Sequence, residues 1–119
     1  MTNIIRDVRE DAERGRVYLP EEDLIRFGLS PEGILPGGDG LTELLKFEGR
    51  RARALYDESR PLVRMVGPRF QSSLWALIEI YSRLLHKIER GGYAVMDQRV
   101  ALSPVAKLGI VGRAALRLY

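Results

Sequence analysis

"NIIRDVREDAERGRVYLP", residues 3–20, carries two patterns at once. Ile4, Ile5, Val8 and Ala12 recur at helical spacing, so the segment is a helix with one apolar side. Asn3, Asp7 and Asp11 stand four residues apart, which stacks an amide and two carboxylates on a second stripe. Neighbours at i and i+4 of like charge destabilise a helix by roughly 0.2–0.5 kcal/mol. The other charges avoid that cost: Arg6, Glu10 and Arg14 alternate along one row, and Arg9 and Glu13 form another. Asp7 has Asn3 and Asp11 at i±4 and Ile4 and Glu10 at i±3, so a regular helix offers it no cation. Asp11 has only Arg14 within that reach, and Gly15 ends the helix.

A stripe of this kind asks for a positive charge from elsewhere. Asn and Asp offer hard oxygen ligands, which suit magnesium rather than zinc. Magnesium keeps several waters and is commonly held by one or two carboxylates together with phosphate oxygens. Asn3, Asp7 and Asp11 therefore have the composition of half a diphosphate site. The spacing is equally that of a solvated acidic face, paired with arginines from another helix.

Working outward, the chain remains helical. "LPEEDLIRFG" (19–28) is a short helix with Pro20 in its first turn, Glu21, Glu22 and Asp23 at its positive end, and Gly28 as its stop. "LSPEGILPGGDG" (29–40) is a loop by its Pro and Gly density, and no Gly-Lys-Ser/Thr makes it a phosphate loop. A longer helix starts near Leu41, with Leu44, Leu45, Glu48, Ala52, Leu55 and Tyr56 in period, and Pro61 ends or kinks it. The next starts at Pro68, carries Leu74, Leu77, Ile78, Tyr81, Leu85 and Ile88 on one side, and closes at Gly91-Gly92. "YAVMDQRVAL" (93–102) is short and partly alternating. Ser103-Pro104 caps a last helix whose inner face is Leu108, Val111, Ala115 and Leu118. The fold class is all-α, a helical bundle.

Composition bounds the function. A chain of 119 residues, 45% hydrophobic and 29% charged, makes one ordinary domain. It has no cysteine, which excludes disulfides, thiolate catalysis and cysteine-bound metals. Its single histidine, His86, argues against a histidine-built metal site. No apolar run approaches the ~20 residues that span a bilayer, and no signal peptide is visible, so a cytoplasmic location is expected. Net charge is only +3, but acids crowd the first residues and none follows Asp97. A basic tail of that kind is a solvated face, or a contact for nucleic acid or for the surface of a membrane. Only Tyr119 could stack a base there, so no nucleic-acid partner is expected.

The order N-x-x-R-D-x-x-x-D followed by R-x-Y-x-P places Asn3, Arg6, Asp7, Glu10, Asp11, Arg16, Tyr18 and Pro20 in one register. That order resembles the second aspartate-rich motif of the squalene and phytoene synthase family. The glycine-rich connection, "RARALYDESRPLV", "LWALIEIYSRLLHKIERGGYAV" and the basic last helix follow as in the carboxy-terminal half of bacterial members. The resemblance implies a partial isoprenoid-synthase fold, all-α around a cavity. It implies a prenyl transferase that joins two prenyl diphosphates, farnesyl or geranylgeranyl, head to head through magnesium-assisted ionisation, to squalene- or phytoene-type products. Asp7 and Asp11 become catalytic residues, and with Asn3 the ligands of Mg2+. Tyr81 matches a cavity tyrosine and Arg99 a diphosphate-binding arginine, although on the residues alone they read as core and surface. NADPH enters only for a squalene-type product. Contact with a membrane surface is compatible with this reading.

Family members also carry another aspartate-rich motif and a basic flap, which this sequence lacks. The expectation is a carboxy-terminal half, residues 1–119, inactive alone and without the amino-terminal half. The stripes Ile4–Val8–Ala12, Leu74–Ile78–Leu85 and Leu108–Val111–Leu118 then partly lack cover, and a homo-oligomer is expected. A small non-catalytic helical interaction module is the alternative.

Overall fold

The computed structural model describes residues 1–34, 37–97 and 99–118. Tyr119 and parts of the 29–40 and 93–102 stretches lie outside the described residues. The fold is all-α: among the described residues there are helices and turns and no strand. The order is α1 (Thr2–Arg6), α2 (Val8–Glu13), α3 (Glu21–Arg26), a 3₁₀ turn (Pro31–Gly33), α4 (Asp39–Ser59), α5 (Leu62–Met65), α6 (Pro68–Arg90) and α7 (Pro104–Ala115).

Helix ends follow local chemistry. At the end of α6, Gly92 has φ +67° and the Gly92 and Tyr93 amides donate back to the Glu89 and Ile88 carbonyls. That closure needs a left-handed residue, which glycine adopts without a Cβ penalty. The turns at Gly15 and Gly28 close α2 and α3 with the same bond pattern. Ser103 caps α7, its Oγ accepting from the Ala106 amide at 3.1 Å. Pro68 opens α6, where its missing N–H is not needed.

α6 is the central element and touches α1, α4, α5 and α7. Leu41, Leu44, Leu45 and Ala52 of α4 pack with Leu84, Leu85 and Ile88 of α6, and Ile5, Val8, Leu24, Ile34 and Val95 close the core around them. Gly49 of α4 is a close approach: a Cβ there would overlap the Tyr93 hydroxyl and stand 2.7 Å from its Cζ. Arg53 and Arg60 of α4 cross to α6, the first on Ser82 and Glu89, the second on Ser82 and Glu79.

Four expectations need correction. The first segment is two short helices, because the backbone leaves α geometry at Asp7 (φ −100°, ψ 10°). The Ile4–Val8–Ala12 side is covered within the chain, with Val8 and the neighbouring Ile5 in the core and Ile4 and Ala12 packed against it. Leu55 and Leu77 keep helical period yet stand exposed, since each lies at the margin of its helix's packed face. On α7, Ile110 and Ala114 are buried, while Leu108, Val111 and Ala115 are exposed, as is Leu118, which lies past the end of the helix. The predicted inner stripe of α7 is its outer one, because the side covered by packing on α6 is Ala106, Ile110 and Ala114 instead.

Candidate functional site

The stripe survives the break at Asp7. The Asp7 amide donates to the Asn3 carbonyl at 3.0 Å, and the Asp11 amide donates to the Asp7 carbonyl at 2.9 Å. Each bond spans one α turn, so Asn3, Asp7 and Asp11 remain on successive turns of one side. Asp7 closes α1 and opens α2, and at the second of these positions, the start of a helix, Asp is favoured.

Its carboxylate caps neither helix and is gripped by Arg6, Nε to Oδ1 at 2.8 Å and Nη2 to Oδ2 at 3.0 Å. The expectation that Asp7 has no cation on its own segment is therefore overturned. Adjacent side chains diverge on a regular helix, and the i±3 and i±4 rule ignores them. At Asp7 the helix is not regular, and residues 6 and 7 meet as a two-pronged ion pair. The Arg6 hydrogen bond holds the Asp7 carboxyl below its usual value, against partial burial, with the charges of Arg6 and Arg99 adding to the effect. Arg6 is raised by the same bond.

Other elements bring the remaining predicted residues to this face. Arg99 places Nε 3.7 Å from Asp7 Oδ1 and 4.0 Å from Glu10 Oε2. Arg9 donates to the Met96 and Asp97 carbonyls, each at 3.2 Å, and so clips the segment before Arg99 onto α2. Tyr81 reaches over from α6, and Asn3 Nδ2 donates to its hydroxyl at 3.4 Å. Thr2 and Tyr56 share a 2.6 Å hydrogen bond that pins α1 to α4. Asp11 is half-buried and its carboxylate has no side-chain partner among the described residues. It borders a crevice with Arg16 and Tyr18, which brings the tail of the same motif beside it. A wider cleft of about 530 Å³, between Gly15, Leu24 and Pro31, includes none of the five predicted residues.

Four of the five predicted site residues are brought together in pairs, Asn3 with Tyr81 and Asp7 with Arg99, while Asp11 lies one turn further on and touches none of the four. Sequence reasoning missed Arg6, Glu10 and Arg9 as parts of the site. Arg6 and Glu10 stand in the motif's register, which was the available signal. Arg9 acts through a loop far along the chain, and only its pairing with Glu13 (3.9 Å) was foreseeable. Among the described residues no group of three or more His, Cys, Asp or Glu is placed to hold a metal ion. Two carboxylates and an amide oxygen give a partial all-oxygen donor set, whose chemistry fits magnesium with water or phosphate oxygens completing the shell.

The sequence profile of the squalene/phytoene synthase family matches residues 1–106. The chain belongs to that family. Phytoene synthase 1 of Arabidopsis thaliana chloroplasts is 38% identical over 110 residues, 91% of this chain and 26% of the relative. The 15-cis-phytoene synthase of Synechocystis is also 38% identical over 110 residues, which are 33% of that protein. Phytoene synthase of Arthrospira platensis is 35% identical over 119 residues, 98% of this chain and 38% of the relative. The synthase-family chain therefore spans between about a quarter and two fifths of the length of these relatives. No helix among the described residues is long and apolar enough to cross a membrane.

Proposed function

We propose that this chain forms one diphosphate-facing wall of a prenyl transferase that joins two prenyl diphosphates head to head. In that reaction the C–O bond of one allylic diphosphate breaks and its electron pair leaves with the diphosphate. The double bond of the second substrate attacks the cation, and loss of a proton leaves a cyclopropyl product that later rearranges. The relatives are named phytoene synthases, which favours a phytoene-type product and gives NADPH no part. The observation that carries the reading is the meeting of Asn3, Asp7, Tyr81 and Arg99, from three separate parts of the chain, on one side of α1 and α2.

Asn3, Asp7 and Asp11 are the residues that would hold magnesium, which when bound supplies Lewis-acid stabilisation to the leaving diphosphate. Asp7 is ionised at neutral pH, and Arg6 lowers its carboxyl further, so no proton competes for its oxygens. Each carboxylate oxygen has a further lone pair beyond the one given to Arg6. Tyr81 engages the Asn3 amide nitrogen, which turns the amide oxygen away and leaves it available as a ligand. Arg99 is weakly tethered and more than half exposed, a state from which its planar fork can close on a diphosphate.

Asp11 gives the cleanest test, because its carboxylate makes no side-chain contact whose loss would unfold the chain. In the longer synthase that this reading requires, Asp11→Asn should lower turnover at least about 100-fold, the scale of a lost transition-state contact. Thermal stability should stay within about 0.5 kcal/mol. Full turnover in an Asp7→Asn/Asp11→Asn double variant would end the proposal.

A further inference from the structure

Tyr93, in the turn that follows α6, has a φ of +61°, in the left-handed region that a bulky side chain rarely adopts. Strain of this kind persists only where the surroundings hold it. The residue is 8% exposed, and its hydroxyl lies over Gly49 of α4, where a Cβ would overlap it. That hydroxyl makes no hydrogen bond among the described residues. Beside it is a cleft of about 390 Å³ between α4 and the end of α6, lined by Lys46, Arg50, Arg53, Glu89, Gly92 and Tyr93. Lys46, Gly49, Arg50 and Arg53 recur at helical spacing, which sets three cations around the glycine on one side of α4. Arg53 is paired with Glu89 at 3.0 Å, and Lys46 is loosely held by Glu43 at 3.4 Å. Arg50 makes no hydrogen bond or ion pair among the described residues. Its i±3 and i±4 neighbours are Lys46, Phe47, Arg53 and Ala54, so its own helix offers it no acid. Burial raises the Tyr93 hydroxyl above its usual value, Glu89 adds to that, and Arg50 and Arg53 oppose it, so both guanidiniums act on that oxygen.

From this arrangement we infer that the cleft between α4 and the end of α6 is a binding site for a small phosphate-bearing anion. A buried phenol, an uncompensated guanidinium and a lysine ammonium border one hollow, and all three are donors. The planar fork of Arg50 can take two oxygens of one phosphate, and Lys46 adds a point charge. The Tyr93 hydroxyl gains in that ligand the acceptor it lacks within the protein. A phosphate group, with about two negative charges and three acceptor oxygens, matches this donor set better than a carboxylate does. Glu89, the carboxylate in the lining, is already paired with Arg53. The volume falls in the range of small-molecule sites, which favours a compact ligand over the face of a macromolecule. The cleft shares no residue with the Asn3–Asp7–Asp11 stripe, Tyr81 or Arg99. The inference does not depend on the prenyl-transfer reading, since neither magnesium nor a prenyl diphosphate enters its test.

The test is a magnesium-free NMR titration of the chain with inorganic phosphate and with glycerol 3-phosphate, at an ionic strength held constant with chloride. The backbone amides of Gly49, Arg50, Gly92 and Tyr93 should shift together and saturate, with a dissociation constant of about a millimolar or lower. Arg50→Gln should weaken that binding at least roughly tenfold, and Tyr93→Phe by roughly three- to tenfold. Neither should move the melting temperature, because Arg50 is exposed and the lost hydroxyl has no partner among the described residues. Equal affinity for the two probes supports a site that reads the phosphate group alone, and tighter binding of the ester supports one that also holds its carbon chain. Shifts that never saturate, or that chloride alone reproduces, overturn the inference. So do shifts that gather at Asp7 and Arg99 while residues 46–53 stay unmoved, which assigns the anion to the other face. Undiminished affinity in the Arg50→Gln/Tyr93→Phe double variant overturns it as well. A lower melting temperature for Tyr93→Phe would give the hydroxyl a partner inside the protein and overturn it equally.

Discussion

Glu48 sits on the packed face of α4 at 1% exposure, with Oε1 lacking any hydrogen-bond partner. Asp23 of α3 faces it, Arg51 bridges Asp23 Oδ2 at 3.1 Å and Glu48 Oε2 at 3.6 Å, and the terminal amino group adds a weak positive field. Two carboxylates can share a hydrogen bond only if one holds a proton. Burial first, then the bond and charge of Asp23, push the Glu48 carboxyl up to about 7 despite Arg51. A raised value means the folded chain binds the proton more tightly than the unfolded one. The stabilisation is complete below the usual 4.5 and is lost as pH rises through about 7. Thermal melts should show that decline, and Glu48→Gln, whose amide donates to Asp23 at every pH, should flatten it. At pH 8 the Gln variant should be the more stable by roughly 1–3 kcal/mol, the penalty of an unsatisfied buried polar group. An unchanged pH profile would place the proton elsewhere. Asp7 runs the other way: its lowered value adds stability that is present above its usual 3.8 and lost as pH falls below it.

At the scale of the element, α7 shows how a correct stripe can be assigned to the wrong side. Leu108, Val111, Ala115 and Leu118 keep helical period, and periodicity alone makes them the buried face. The helix is apolar nearly all round, so its period marks an apolar row without saying what the row meets. Two substitutions separate the faces. Ile110→Ala should destabilise the chain by about 2–4 kcal/mol, as for a fully buried aliphatic residue. Leu108→Ala should stay within about 0.5 kcal/mol, as for an exposed one. Urea melts in which the two trade places would return Leu108 to the interior. α4 shows a related effect, since Glu48 kept the apolar period and its burial was legible, whereas its proton was not.

At the scale of the whole molecule, mass is unevenly tied. The radius of gyration is 16.0 Å and the extents are 46 × 28 × 24 Å, against about 13.5 Å expected for a compact chain of this length. The continuous core joins α1, α2 and α3, α4 and the second half of α6. Val63, Ile78, Ile110 and Ala114 are buried outside it, at the α5–α7 end. Local stability follows buried contact density, so amide exchange should be slowest around Leu44, Leu45, Leu84 and Leu85. The α7 amides should exchange through a separate opening, with protection at least roughly tenfold lower. Uniform protection across α4, α6 and α7 would mean that a single cooperative core holds all three helices.

Much of the protein was legible residue by residue. Gly15, Gly28 and Gly92 stop helices because the left-handed turn needs no Cβ, Pro68 starts one because it needs no donor, and Ser103 caps one with its own oxygen. The Asn3–Asp7–Asp11 stripe and the ordered motif around it also follow from spacing in the chain. These are local interactions, a few bonds long, and they do not wait for packing. The arrival of Tyr81 and Arg99 beside the stripe, the fit of Tyr93 over Gly49 and the outward turn of α7 belong to another class. Each depends on which helix comes to lie against which. That choice is made by the summed burial of distant side chains, a property that no single segment of the sequence contains.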